Sequence, residues 1–318
     1  MYQYVIQQTL QGIPGAWNIS DNIIVFGSDQ ESHDKNLDRT LSRLESKGLT
    51  LNREKCIFSV PELVFFGFKI SANGIAPDDK KVEAVRNARP RKTAAEVQSF
   101  LGLVNYCTRF SPNFATLAEP LRKLTRSDSE WVWGEIQQDA FDRLRVALTS
   151  DCVVAHYDQS ADTELKVDAS PVGLGAILLQ RSNDTVRPVA YASRTLTDVK
   201  RRYSQTGKEA LAVVWACEQF HIYLYGKPFT LYTDHKPLEI IYSHKSKPPP
   251  RIERWALCLQ PYQFNIVHMW VRQTQLMYSH GFHLKTSRSG KGTLRSTLIT
   301  SQLMQSQKHS HFNRLPVR

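Results

Sequence analysis

The sequence predicts an α/β fold, and three features carry the prediction. Over residues 163–167, Leu165 and Val167 alternate with Glu164 and Lys166, the two-residue period of a half-buried strand. Residues 229–234 repeat the pattern, with Phe229, Leu231 and Thr233 set against Thr230, Tyr232 and Asp234. Between them, KEALAVVWACEQFHIYL places Leu211, Val214, Trp215 and Glu218 on neighbouring turns of a helix with a broad apolar face. Strands interleaved with such helices build a mixed sheet covered by helices.

The remaining elements follow in chain order. Ile23, Ile24, Val25 and Phe26 form a short apolar run suited to a buried strand after Ser20-Asp21-Asn22. A helix is predicted over residues 31–47, with Leu37, Leu41 and Leu44 on one face and Gly48 just past its end. A hairpin over residues 55–58 and 63–70 precedes a turn at Asn73-Gly74. Pro77-Asp78 starts a short helix with Val82 and Val85, ended by Arg89-Pro90-Arg91. Thr93 and Glu96 have the spacing of a capping box for a helix carrying Val97, Phe100, Leu101 and Val104. Helical pattern continues over residues 110–124, and again over 135–149 with Phe141, Leu144 and Leu148 inward. From residue 152 to 268 the order becomes strand-strand-strand-helix-strand-helix-helix-strand, with the triple proline at 248–250 as a stiff break.

Three acids stand out in this frame. Asp168 lies inside what reads as a buried strand, and an acid on the core side of a strand is costly to bury without a cation or hydrogen bonds. The plainer account is an aspartate capping the next turn, where Ser170 follows and is expected to fix the carboxylate rotamer. Glu209 opens the long helix, where the helix dipole alone favours an acid. Asp234 closes the second strand. Carboxylates from two strands and a helix can converge on hard divalent cations such as Mg²⁺ or Mn²⁺.

Composition narrows the class. With 318 residues, 41% hydrophobic and 22% charged, the chain reads as globular, of two or three domains. No apolar run approaches a membrane span, and MYQYVIQQTLQG has no signal-peptide pattern, so an intracellular, unsecreted protein (cytoplasm or nucleus) is expected. Cys56, Cys107, Cys152, Cys217 and Cys258 are too scattered for a zinc site and read as reduced thiols. The net charge of +11 is concentrated late: no acid follows Glu253, and nine Lys and Arg from Arg254 onward leave +2 for residues 1–253. A basic nucleic-acid-binding arm and an unselected extension both fit this tail.

VDAS, RPVAYASRTLT, YSQTGKEALAVVWACEQFHIYLYG and FTLYTDHKPL, in this order, resemble the ribonuclease H domain of Ty3/gypsy-type LTR retrotransposons. Upstream, NISDNIIVFGSDQESHDKNL resembles the palm of the same Pol polyproteins' reverse transcriptase and LNREKCIFSVPELVFFGFKIS its primer grip. VQSFLGLVNYCTRFSPNFATLAEPLRKL resembles thumb and connection. The resemblance implies an α+β palm and thumb remnant followed by a ribonuclease H-like mixed sheet with flanking helices. It divides the chain into a truncated palm (1–75), thumb and connection (76–150), the nuclease-like domain (151–268) and a basic, acid-free, disordered tail (269–318).

The resemblance also assigns roles. Asp168, Glu209 and Asp234 stand at metal-holding catalytic positions for cutting RNA in an RNA–DNA hybrid, with Mg²⁺ or Mn²⁺ as cofactor. Arg194, Lys208 and Lys236 flank them, as phosphate contacts or as ordinary surface cations; the same choice holds for residues 109, 122, 123 and 126. Asp21 and Asn22 stand where the family has a pair of polymerase aspartates, with Ile19 at the preceding tyrosine position. An amide is a poorer Mg²⁺ ligand than a carboxylate, and the fingers are expected to lie before residue 1, so polymerase activity is not expected of this chain alone. The family closes its nuclease with a motif carrying a fourth aspartate, whereas residues 268–280 contain no acid and Met277 stands near its place. Reduced or absent cleavage is therefore expected, and a catalytically inactive nucleic-acid-binding or protein-scaffold relic stands as the alternative.

Overall fold

In the computed structural model the described residues are 2–149, 153–182, 185–242, 248–269 and, for the backbone alone, 295–300. They fall into two units: Met1–Phe65, Ile70–Ala72 and Ser289–Arg318, and then Phe66–Lys69 with Asn73–Arg288.

The first unit contains α1 (Tyr2–Leu10), β1 (Ala16–Ile19), β2 (Asn22–Gly27), α2 (Gln30–Ser46), β3 (Ile57–Val60) and β4 (Glu62–Phe65). The apolar run predicted over 23–26 is the heart of β2, where Ile23 and Val25 are buried with Ile6, Leu10 and Leu44. Helix α2 starts where Asp29 accepts the Ser32 N–H at 2.7 Å, and the chain leaves it through Gly48 at φ +66°. Strands β5 (Phe68–Ser71) and β6 (Gly74–Pro77) carry the chain across the division between the units.

The second unit opens with α3 (Asp79–Arg86), α4 (Ala94–Asn105), α5 (Phe114–Lys123) and α6 (Glu135–Thr149). Their apolar faces bury Val85, Val97, Phe100, Leu121, Phe141 and Leu144 in one core. Thr93 caps α4 by accepting the Glu96 N–H at 3.2 Å; the Glu96 carboxylate accepts from Lys92, one residue earlier than a full capping box requires. The helix expected over 110–124 is broken. A 3-10 turn ends at Phe110, Ser111 is extended ahead of Pro112, and Asn113 takes φ +54° before α5 starts.

A five-stranded sheet follows, built from β7 (Asp162–Ala169), β8 (Gly173–Ser182), β9 (Thr185–Thr195), β10 (Phe229–Thr233) and β11 (Phe264–His268). Its order is β11-β10-β7-β8-β9; β7, β8 and β9 are antiparallel, and β10 runs parallel to β7 and to β11. Parallel neighbours need a crossover. Between β9 and β10 the chain forms α7 (Asp198–Arg201), α8 (Gln205–Gln219) and α9 (His221–Leu224), and between β10 and β11 it forms α10 (Pro237–Ile241) and α11 (Pro250–Leu259). Leu165, Val167, Ala210, Val213, Val214, Cys217 and Leu231 share the core beneath α8.

Strand β7 is more deeply enclosed than its alternation predicts. Glu164 and Lys166 are 6% and 7% exposed, so both faces are covered, and Arg181 compensates Glu164 at 2.8 Å. Helix α5 docks on the neighbouring strands β8 and β9. The Ala115 N–H donates to Ser193 Oγ at 2.8 Å, and Gly175 has no Cβ where one would lie 2.7 Å from Asn113 Oδ1.

Backbone residues Arg295–Thr300 form β12, antiparallel to β2 and β3 of the first unit. The expected disordered tail over 269–318 thus departs at these six residues, whose β-branched Thr297, Ile299 and Thr300 favour a strand. Residues 270–294 and 301–318 lie outside the described residues. Among the described residues no helix is long and apolar enough to cross a membrane, and Cys56, Cys107, Cys217 and Cys258 are free thiols.

Phe141 is fully buried, with Phe100 at 4.7 Å and Trp133 at 6.0 Å between ring centroids. Phe141→Ala is expected to lower unfolding free energy by about 3–5 kcal/mol, read from the urea midpoint. A loss below about 1 kcal/mol would contradict this packing.

Candidate active site

Parallel register brings the two strand acids together. Phe229 pairs with Thr163 and Tyr232 with Lys166; the same offset carried two residues further sets Asp234 level with Asp168. Glu209 approaches from α8, and one ligand oxygen from each of Asp168, Glu209 and Asp234 lies within 4.8 Å of the others. Glu209 is 2% exposed, while Asp168 and Asp234 are half-buried.

The simpler accounts of these acids do not match their surroundings. Asp168 lies inside β7 and does not close the following turn; Ser170 does, accepting from the N–H of Gly173 at 2.9 Å and Val172 at 3.3 Å. Ser170 also bonds Thr116 at 3.1 Å, so the expectation that it orients Asp168 is corrected. Helix α8 begins three residues earlier than Lys208, because Ser204 caps it through the Gly207 N–H at 3.2 Å. Glu209 therefore sits beyond the first turn, where the helix dipole has faded. By strand alternation Asp168 shares the face of Glu164 and Lys166, not that of Leu165 and Val167.

Electrostatics are set by crowding. Burial, then Asp234, then Asp168 push the Glu209 carboxyl up to about 8. Burial and then Asp234 raise Asp168 as well. Opposing these effects, Gln205 Nε2 donates to Glu209 Oε1 at 2.6 Å and the Ala169 backbone adds a smaller contribution of the same sign, while Glu209 Oε2 is buried without a hydrogen-bond partner of good geometry. A buried all-oxygen cluster with an orphaned carboxylate oxygen fits a hard divalent cation in its donor chemistry.

The surroundings hold the frame still. His268 at the end of β11 donates its backbone N–H to Glu239 Oε1 at 2.8 Å, and its ring Nε2 lies 3.1 Å from the Asp234 carbonyl oxygen. His235 bonds Thr206 at 2.9 Å. Arg194 and Lys236 are exposed, whereas Lys208 retains 9% exposure in the first turn of α8. Asp21 and Asn22 sit at the β1–β2 turn of the first unit, 3.3 Å apart through the Asn22 amide. Residues 270–280, where Met277 stands, lie outside the described residues. Gln205 went unnoticed in the sequence, although its spacing of four from Glu209 is that of a helical hydrogen-bonded pair.

Residues 158–262 match the model of the RNase H-like domain found in reverse transcriptase. Over these residues the chain is similar to that family. Over 271 residues, 83% of its length, the chain is 32% identical to the Transposon Tf2-7 polyprotein of Schizosaccharomyces pombe, and over 250 residues it is 32% identical to Tf2-3 of the same organism. The chain spans about a fifth of the length of these curated relatives. Among solved structures, the foamy viral protease-reverse transcriptase dRH in complex with ds DNA superposes with TM-score 0.71 at 21% identity, covering 84% of this chain and 48% of that one. The same viral protein in complex with RNA/DNA hybrid gives 0.70 at 19% identity, covering 98% and 40%. These likenesses show the fold alone, one shared with the foamy viral protease-reverse transcriptase over most of this chain.

The raised Glu209 has a direct consequence for stability. Between 4.5 and about 8 the folded carboxyl keeps a proton that the unfolded chain has released, so stability falls as pH rises through this window. Without divalent ions, Glu209→Gln is expected to melt higher than wild type at pH 8.5 and to lose less melting temperature between pH 5 and 8.5. An unchanged pH slope in the variant would contradict the buried carboxyl.

Proposed function

We propose that residues 151–268 are a divalent-metal-dependent ribonuclease H that cuts the RNA strand of RNA–DNA hybrids. Residues 76–150 serve as the thumb and connection that grip the duplex, and residues 1–75 are a palm segment whose Asn22 weakens its hold on a metal. The convergence of Asp168, Glu209 and Asp234 within 4.8 Å, with Glu209 Oε2 unpartnered, carries this reading. The relatives named above are transposon polyproteins, and the foamy viral enzymes were captured on double-stranded DNA and on RNA/DNA hybrid.

In this mechanism Asp168, Glu209 and Asp234 would hold Mg²⁺ or Mn²⁺, which when bound would supply Lewis-acid activation of a water and charge neutralisation. The chain's own part is geometric. Strands β7 and β10 keep two carboxylates level, α8 brings the third, and burial excludes competing water from Glu209. Exposed Arg194 and Lys236 flank the acids and contact backbone phosphates, which positions the hybrid without reading its sequence. Lys208 is the least accessible of the three proposed contacts.

A second reading, a nucleic-acid-binding or protein-scaffold relic without catalysis, is favoured by one observation: no Asp or Glu follows Glu253, so the family's fourth acid has no counterpart there. The purified chain with a labelled RNA–DNA hybrid and Mg²⁺ or Mn²⁺ separates the two. Slow cleavage of the RNA strand, abolished in Asp168→Asn, is the expected result. A folded chain that binds hybrid with a steep loss of affinity in salt, yet never cuts it, would replace the enzyme by the binding module.

A further inference from the structure

The two oxygens of the buried Glu209 carboxylate are in different states. Oε1 accepts from Gln205 Nε2 at 2.6 Å, and Oε2 has no hydrogen-bond partner. The same Nε2 donates to the Ala169 carbonyl at 2.9 Å, on the strand that bears Asp168 and one residue beyond it. Both partners are acceptors, so the nitrogen end of the amide must face them, and its two N–H groups account for both bonds. One neutral group thus ties a glutamate on α8 to β7 beside the first aspartate.

We propose that Gln205 is a positioning residue for the metal site, fixing the Glu209 carboxylate so that Oε2 is the oxygen offered to the ion. This rests on the reading of Asp168, Glu209 and Asp234 as metal ligands, and it adds a residue that acts on the ion through Glu209. Without the amide, Oε1 would be a buried acceptor lacking a donor, and the carboxylate would turn to seek one. The glutamate side chain would also regain rotamer freedom that ion binding must then remove. A neutral donor suits the task better than Lys or Arg, because a cation at 2.6 Å would compete with the ion for the same charge. Gln205 is exposed at the start of α8, so replacing it opens no core cavity.

Mn²⁺ alone, titrated into the full-length chain and followed by the electron paramagnetic resonance of the free ion, tests the role. Gln205→Met keeps the side chain's length and removes the donor. The expected result is a dissociation constant raised about tenfold, with the same stoichiometry and an unchanged melting temperature in EDTA. Mn²⁺ affinity equal to wild type would overturn the role, as would a loss of affinity matched by a fall in metal-free melting temperature. Asp168→Asn serves as the reference. If wild type binds no Mn²⁺ beyond what Asp168→Asn binds, the site reading fails, and this inference fails with it.

Discussion

The structure around the acids depends on one backbone constraint, the parallel in-register pairing of β10 with β7. Its offset puts Asp234 level with Asp168, so two carboxylates meet at neighbouring strand ends. Burial and the crowding of three carboxylates within 4.8 Å make Asp168 and Glu209 resist ionisation. Such an arrangement is costly in the isolated chain and becomes favourable when a divalent cation supplies the opposite charge. The burial that raises Glu209 would also strengthen its attraction for an ion.

The rest of the second unit keeps that pairing in place. Helix α8 covers β7 through Ala210, Val213 and Val214, which fixes how far Glu209 reaches. Helix α5 meets the sheet through Ala115 and Ser193 and fits because Gly175, the partner of Asp168 across β8, has no side chain. Arg201 on α7 pairs at 2.7 Å with Glu119, a buried acid of α5. Removing Arg201 leaves buried Glu119 only the longer contact with Arg126 at 3.9 Å, so the link constrains which substitutions the region tolerates.

Much of this was legible in the sequence, for physical reasons that differ by element. The strands at 163–167 and 229–233 and the helix of Leu211 to Trp215 show themselves through apolar periodicity, because each presents an apolar face to one core. Convergence of the three acids was not legible from spacing, since it depends on a strand register that no local pattern encodes; there the resemblance supplied the order of motifs. The break in the helix over 110–124 escaped because apolar spacing continues across Pro112 and Asn113 while the backbone does not. The true start of α8 escaped because Ser204 sits among polar residues that carry no period, and with it went Gln205. Strand β12 escaped because its segment is basic and aperiodic around six residues of which three are β-branched.

The most direct measurement is anomalous scattering from crystals of the full chain soaked in Mn²⁺. The account predicts a peak within about 2–2.5 Å of carboxylate oxygens from Asp168, Glu209 and Asp234 together. Well-ordered carboxylates with no peak between them, while Mn²⁺ occupies other sites on the same molecule, would contradict it.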